Sequence, residues 1–259
     1  MTDVALSPLD PSKILAGVSL AVVIPAYNES LRIADSIRVV SRFLEAQKAD
    51  YEIIVVDDGS TDGTFAAAQS ATEPSFERLR VFRYDENQGK GFALSMGARA
   101  SERLLTAFLD ADLDLSPELL TRLSAMMSAA NAEVAIGSKR HPESTLRYPL
   151  TRRLYSRIYG LLVRALFRLD LSDTQTGIKL FRTSALKQAL VQTSSRRYAF
   201  DVDLLAAARS LGFRIVEAPV HIDFVRKRSR LGIASALRMF VDTFVVFFRR
   251  RQLERKRNL

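Results

Sequence analysis

Five short runs of apolar, mostly β-branched residues punctuate the first half of this chain, and each stops at a proline, a carboxylate or a glycine turn. They are Val18–Ile24 before Pro25, Glu52–Val56 before Asp57-Asp58-Gly59, Leu79–Tyr84, Thr106–Leu109 before Asp110, and Val134–Ile136. Runs of this length without alternation are the mark of strands buried on both faces. Helix-length segments separate them. Asn28 is placed to cap a helix reaching about Gln47. Ser60 or Thr61 opens one through Ala71, with Asp62 at its positive end. A further helix spans Gly89–Ala100, and Ser116-Pro117-Glu118 starts another. Strand and helix in alternation define βαβ units, hence an α/β fold around a mostly parallel twisted sheet flanked by helices. Ligands of such sheets lie beyond the C-terminal strand ends. Pro25–Glu29, Asp57–Asp62, Asp85–Lys90 and Asp110–Asp114 all fall on that edge.

The second half changes character. Pro149–Phe167 mixes apolar residues with Arg152, Arg153, Arg157 and Arg164, and Asp173–Phe181 is a polar loop leading into a strand. Phe200–Gly212 reads as a helix, Arg214–Ala218 as a strand and Ile233–Phe248 as a final helix. The expected organisation is one α/β domain, 1–230, and a basic amphipathic helical tail, 231–259.

Charge divides the same way. Residues 1–138 carry 12 Lys and Arg against 20 Asp and Glu, whereas residues 139–259 carry 26 against 9. A polyanionic partner is therefore expected for the second half. Nucleic acid is not the expected one, because aromatic residues are not interleaved with the basic runs and no nucleic-acid-binding motif is present. The chain has no Cys, which excludes disulfides, thiolate metal sites and cysteine nucleophiles, and its two His are isolated. Any metal must then sit on carboxylates, which selects Mg²⁺ or Mn²⁺. Asp110, Asp112 and Asp114 alternate, and in an extended segment their side chains share one face, where a divalent cation would relieve their repulsion. A calcium loop is ruled out because Leu115 stands where its glycine belongs and Thr121 where its closing Glu belongs. The competing structural role for Asp114 and Ser116 is capping of the next helix. Lys90 has an equally plain alternative, a surface residue after a helix-starting glycine. Gly89-Lys90-Gly91 is not a phosphate-binding P-loop, since no Ser or Thr follows the lysine. Asp173, Gln175 and Lys179 could form a turn network, and Asp201 and Asp203 could cap a helix or pair with an arginine.

Three motifs in order, Val23-Ile24-Pro25-Ala26-Tyr27-Asn28-Glu29, Val55-Val56-Asp57-Asp58-Gly59-Ser60-Thr61-Asp62 and Asp110-Ala111-Asp112, resemble the inverting glycosyltransferases of family 2, which have the GT-A fold. Asn87-Gln88-Gly89-Lys90-Gly91 and Asp173-Thr174-Gln175-Thr176-Gly177-Ile178-Lys179-Leu180-Phe181 are similar to the dolichyl- and polyprenyl-phosphate sugar synthases, the glucosyl type most of all. Phe200-Asp201-Val202-Asp203 resembles an F-D-x-E element of the same group, with Asp for Glu. The resemblance implies that Pro25, Tyr27, Glu29 and Asp58 line the base and ribose pocket, with Asp57 supporting its turn. Asp110, Ala111 and Asp112 would meet the diphosphate, and Asp110, Asp112 and Asp114 its metal. Lys139 and Arg152 or Arg153 would stand where relatives bind phosphate. Lys139, Arg140, Arg153, Gln175, Ser229 and Arg230 would face the acceptor, although Arg228 and Arg230 replace the Gly and Lys of the family's closing element. The implied reaction transfers glucose from UDP-glucose to polyprenyl phosphate, with mannose from GDP-mannose as the alternative. A non-catalytic membrane subunit is opposed by the intact acidic cluster.

A phosphate monoester has its second pKa near 6, so such an acceptor is already mostly dianionic and needs positioning cations more than a general base. The acidic half would hold metal and nucleotide; the basic half would hold the acceptor. In the tail, Ile233, Leu237, Phe240, Phe244, Phe247 and Phe248 form one stripe, and Arg249-Arg250-Arg251, Arg255, Lys256 and Arg257 a basic flank. That pattern fits an interfacial helix, and equally one packed on the domain or against another subunit, in a homo-oligomer or with a membrane partner. No leader segment is visible, so the expected location is cytoplasmic, peripheral on the cytosolic face of a membrane.

Overall fold

In the computed structural model, residues 14–71, 76–146, 150–222 and 233–257 are described. The elements are β1 (Ser19–Ala26), α1 (Ile33–Ala46), β2 (Asp50–Asp57), α2 (Thr64–Gln69), β3 (Leu79–Arg83), α3 (Lys90–Ala100), β4 (Leu105–Phe108), α4 (Leu119–Ala129), β5 (Val134–Ser138), β6 (Thr145–Leu146), α5 (Leu150–Phe167), β7 (Lys179–Arg182), α6 (Thr183–Gln192), α7 (Phe200–Ser210), β8 (Ile215–Pro219), β9 (His221–Ile222) and α8 (Ile233–Arg257).

A seven-stranded sheet runs in the order β3-β2-β1-β4-β7-β5-β8, and β6 pairs with β9 apart from it. Its centre is the apolar run of β1, where Leu20 through Ile24 are fully buried because helices cover both faces. One layer packs Ile33, Ile37, Val40 and Leu44 of α1 beneath the sheet, with Leu120 and Leu123 of α4. The other packs Ala93, Leu94 and Ala98 of α3 with Leu204, Leu205 and Ala207 of α7.

The register places the strand ends together. Ala26 pairs with Asp57 and Val23 with Phe108, so the chain leaves β1, β2 and β4 on one edge. Order reverses at β1, whose neighbours β2 and β4 lead to opposite sides, and this is where α/β sheets open a ligand crevice. β7 is antiparallel to both β4 and β5, with Lys179 opposite Phe108. The loop entering β7 therefore reaches the same edge from the other half of the sequence.

Several local expectations are corrected. Asn28 does not cap α1; it adopts a left-handed φ of 54°, and its Oδ1 accepts the Thr61 N–H at 3.0 Å, tying the β1 and β2 loops together. α2 begins at Thr64 rather than Ser60 or Thr61, because the Ser60 N–H is held by Asp57 Oδ1 at 3.0 Å and Asp62 Oδ1 accepts from the Thr64 N–H at 3.0 Å. α6 falls where no helix was expected.

The terminal helix α8 also differs from expectation. It runs through the basic flank to Arg257 rather than stopping near Phe248. Its aromatic stripe is covered on one flank only. Phe240 stacks edge-on with Tyr159 of α5 at 5.5 Å and Phe247 with Phe167 at 5.9 Å, whereas Phe244 and Phe248 stay exposed. The Tyr159 hydroxyl pairs with Thr243 at 2.9 Å, and burial pushes its pKa up to about 12. Arg250 is buried against α7, where Nε donates to Asp203 Oδ1 at 2.8 Å and Nη2 to the Asp203 carbonyl at 2.6 Å. Asp203 thus pairs with an arginine, and α8 is part of the packed body. Among the described residues no helix is long and apolar enough to cross a membrane.

Candidate active site

A cleft of about 620 Å³, its open mouth included, lies at the sheet edge where β1, β2 and β4 end. Pro25, Ala26, Tyr27, Glu29, Asp58, Lys90, Asp110, Ala111 and Asp112 line it. Of the residues assigned to nucleotide by sequence, only Asp57 lies outside this lining.

Asp57 is fully buried and its Oδ1 takes the Ser60 N–H, while Oδ2 lies 3.7 Å from Arg83 Nε. Asp58 is 3% exposed and heavily used. Its carboxylate accepts from the Tyr84 hydroxyl at 2.6 Å, Asn87 Nδ2 at 3.0 Å, the Gln88 N–H at 2.8 Å and the Gly89 N–H at 3.0 Å. Four donors on one carboxylate fix the 84–89 loop and, with it, the start of α3. Burial and the adjoining Asp58 charge raise the Tyr84 pKa above the ordinary phenol value. Gly59 permits the crossing: at φ +68° a Cβ there would lie 2.6 Å from the Glu86 carbonyl carbon.

The loop after β4 is a turn rather than an extended strand. Leu113 takes a left-handed φ of 50°, its N–H returns to the Asp110 carbonyl at 3.1 Å, and the Asp114 N–H donates to Asp112 Oδ1 at 3.2 Å. The alternation that would have put three carboxylates on one face is therefore broken. Asp110 and Asp112 share the cleft, Asp114 is not in its lining, and among the described residues no three His, Asp or Glu side chains group to hold a metal. Mg²⁺ and Mn²⁺ do not require such a cage, because one or two carboxylates, completed by substrate phosphate oxygens and water, suffice. Asp110 and Asp112 fit a metal of that kind.

Lys90, left as a surface residue by its sequence context, is the one cation in this lining among the described residues. Its Nζ lies 2.5 Å from Asp110 Oδ1. Desolvation would lower its pKa, but the Asp110, Asp201 and Asp112 carboxylates outweigh that and raise it. The signal for it was a lysine directly after the glycine that ends a strand-end loop.

The basic-half candidates gather beside this cleft. The buried Asp173 carboxylate accepts from the Lys139 N–H at 3.1 Å, the Gln175 N–H at 3.0 Å and the Thr176 hydroxyl at 2.7 Å. Glu217 of β8 holds the Ser172 and Asp173 N–H groups at 2.9 and 3.0 Å, and Arg140 Nη1 donates to the Ser172 carbonyl at 2.8 Å. Gln175 Nε2 contacts Met239 Sδ of α8 at 3.2 Å. Lys139, Arg140 and Gln175 are so brought together, and Gly177 joins them to the cleft, because a Cβ there would collide with Asp110 Oδ2. Lys179 Nζ is buried and donates to the Thr176 carbonyl at 2.5 Å and Asp201 Oδ1 at 2.7 Å. The side chains of Arg152 and Arg153, and all of Ser229 and Arg230, lie outside the described residues.

Sheet order, reversed β7 and strand-end cleft define the GT-A fold. A Mycobacterium tuberculosis glucosyl-3-phosphoglycerate synthase crystallised with Mn²⁺, UDP and glucosyl-3-phosphoglycerate superposes with a TM-score of 0.69 at 21% identity, covering 93% of this chain and 85% of that one. Mannosyl-3-phosphoglycerate synthase from Rubrobacter xylanophilus gives 0.67 at 17% identity, covering 92% and 75%. At these identities the likeness is one of fold. The chain belongs to glycosyl transferase family 2, which residues 21–190 match. It is 30% identical over 247 residues to a Drosophila melanogaster dolichyl-phosphate beta-glucosyltransferase, covering 90% of this chain and 75% of the relative. A Trichomonas vaginalis dolichyl-phosphate beta-glucosyltransferase, ALG5C, is also 30% identical, covering 88% and 71%. Glycosyltransferase AglD of Haloferax volcanii is 33% identical over 79% of this chain, which spans only 33% of that protein.

Proposed function

We propose that this chain transfers glucose from UDP-glucose to a polyprenyl, dolichyl-type phosphate, releasing UDP and inverting the anomeric carbon. Its similarity to dolichyl-phosphate beta-glucosyltransferases over nearly its whole length supports the lipid acceptor and the sugar. The observation that carries the reading is the pairing of a carboxylate-and-lysine cleft with a polar, cation-bearing cluster that touches it at Gly177.

In this reading Pro25, Tyr27 and Glu29 border the nucleoside, and Asp58 acts by fixing the loop that carries Lys90. Asp110 and Asp112 hold Mg²⁺ or Mn²⁺, which when bound neutralises the diphosphate leaving group. Lys139 and Arg140, with Arg152 and Arg153 from α5 and Ser229 and Arg230 beyond it, orient the acceptor phosphate. One acceptor oxygen forms the new bond to the anomeric carbon as the bond to the UDP oxygen breaks. The charge on that oxygen makes a protein base unnecessary. Single displacement at an α-linked donor yields the beta product. On α8, exposed Val241, Phe244, Val245 and Phe248 beside Arg249 and Arg251 would rest on the cytosolic face of a membrane that presents the acceptor.

The test is a panel of radiolabelled UDP-glucose and GDP-mannose offered with polyprenyl phosphate and Mg²⁺ or Mn²⁺. Labelled lipid from UDP-glucose is expected. Product only from GDP-mannose would overturn the sugar assignment, and no labelled lipid from either donor would overturn the reaction.

A further inference from the structure

We infer that Lys90 is a resident counter-cation that keeps metal off Asp110 until a nucleotide diphosphate draws it away, so that metal and nucleotide enter together. This rests on the metal-dependent reading proposed above.

Asp110 has two carboxylate oxygens. Oδ1 is 2.5 Å from the Lys90 ammonium, and Oδ2 lies so close to Gly177 that a methyl group would not fit between them. A divalent cation that took Asp110 while the ammonium stays in place would sit within a few ångströms of it and be repelled. The backbone that carries Lys90 is fixed, since Lys90 opens α3 directly after Gly89, whose N–H is clamped by Asp58 at 3.0 Å. Asp110 and Lys90 are each part-exposed, at 39% and 46%, so the pair faces the cleft rather than the core.

The surrounding charges decide where Lys90 can go. Asp110, Asp112 and Asp201 act on it together. Asp112 is the second candidate metal ligand and already accepts the Asp114 N–H at 3.2 Å. Asp201 is engaged by Lys179, which is 2% exposed and fixed by the Thr176 carbonyl. Of the three carboxylates that act on Lys90, Asp201 is thus paired with Lys179 and one Asp112 oxygen already takes a backbone N–H, so both compete less well for a departing ammonium. The phosphates of an incoming nucleotide supply its partner. Lys179 is on this view a positioning residue: it occupies Asp201 so that Lys90 is directed into the cleft.

The consequence is thermodynamic coupling. Metal alone must displace an ammonium and then sit beside it, whereas metal with UDP exchanges that repulsion for attraction on both sides. Coupling of this kind is reciprocal in the two affinities. Phosphate ligation alone would also make UDP tighten metal binding, so the decisive quantity is metal affinity without nucleotide.

The experiment titrates the full chain with Mn²⁺, reading free ion by its electron paramagnetic resonance signal, with and without UDP. It compares the wild type with Lys90→Gln and Lys90→Arg, after circular dichroism has confirmed folding. Lys90→Gln should bind Mn²⁺ without UDP at least about tenfold more tightly than the wild type, since a unit and a double positive charge a few ångströms apart repel strongly even in a wet site. Its gain from UDP should shrink, and Lys90→Arg should behave as the wild type. Equal or weaker Mn²⁺ binding by Lys90→Gln without UDP overturns the inference while leaving metal use intact. Should Lys90→Gln not fold, Lys90→Met is read by the same criterion, Mn²⁺ affinity without UDP, and no gain over the wild type overturns the inference. No Mn²⁺ binding by the wild type even with UDP defeats the metal reading itself.

Discussion

Replacing Arg250 with Met tests whether the C-terminal helix is structural. Arg250 and Asp203 are 10% and 2% exposed at their side chains and meet at 2.8 Å, 47 residues apart in sequence. Removing one member of a buried pair leaves the other charge uncompensated and costs about 3–5 kcal/mol. Asp203 keeps part of its solvation, because Oδ2 also accepts the Ser194 and Ser195 N–H groups at 2.8 and 3.0 Å. Those bonds place the cost at the lower end, about 3 kcal/mol. For a domain of this size that lowers Tm by roughly 6–12 °C. Urea and thermal unfolding followed by circular dichroism measure it, and Asp203→Asn alone and combined with Arg250→Met closes the cycle. The two changes should be strongly non-additive. A loss below about 1 kcal/mol, the value of a surface pair, would refute the claim that α8 is locked to α7.

Three further outcomes are expected. Asp112→Ala should lower transfer at least about a hundredfold with the fold intact, the loss of one carboxylate from the two-carboxylate metal site proposed above; unchanged turnover would remove Asp112 from the reaction. Gly177→Ala should also lower kcat/KM about a hundredfold, because its methyl group must push the Asp110 carboxylate aside, and near-normal activity would show that this contact does not position Asp110. Phe244→Ser combined with Phe248→Ser should leave Tm unchanged and weaken sedimentation with anionic liposomes; undiminished binding would assign the exposed face of α8 to another partner.

The legible parts of this chain were those fixed by local chemistry. Buried strands announce themselves as β-branched runs, and strand-end loops by their carboxylates and glycines, so Pro25, Tyr27, Glu29, Asp58, Asp110 and Asp112 could be placed on one edge before any coordinates. What was not legible depends on pairing between distant segments. Lys90 looks like a surface lysine until the register brings Asp110 beside it, 20 residues away. Asp58 reads as a ligand for nucleotide, yet its buried carboxylate is filled by donors from the 84–89 loop. Alternation at Asp110, Asp112 and Asp114 suggested a shared face because a period of two implies an extended backbone, and the left-handed Leu113 removes that premise. The aromatic pattern of α8 could not say which side would be covered, since its cover comes from α5 and α7.

The reversed strand β7 explains why one sheet edge can serve two oppositely charged halves. In an all-parallel sheet the loop entering a strand lies on the edge opposite the loops that leave its neighbours. Had β7 run parallel to β4, residues 172–177 would sit a full strand length from Asp110. Because β7 is antiparallel, with Lys179 opposite Phe108, the same loop arrives beside the β4 exit, and Gly177 packs on the Asp110 carboxylate. The acidic first half and the basic second half therefore meet at this edge, where Gly177 packs on the Asp110 carboxylate, rather than at separate surfaces. That contact needs a residue without a side chain, which is why the Gly177 substitution probes the joint between the two halves more directly than removal of any single charge.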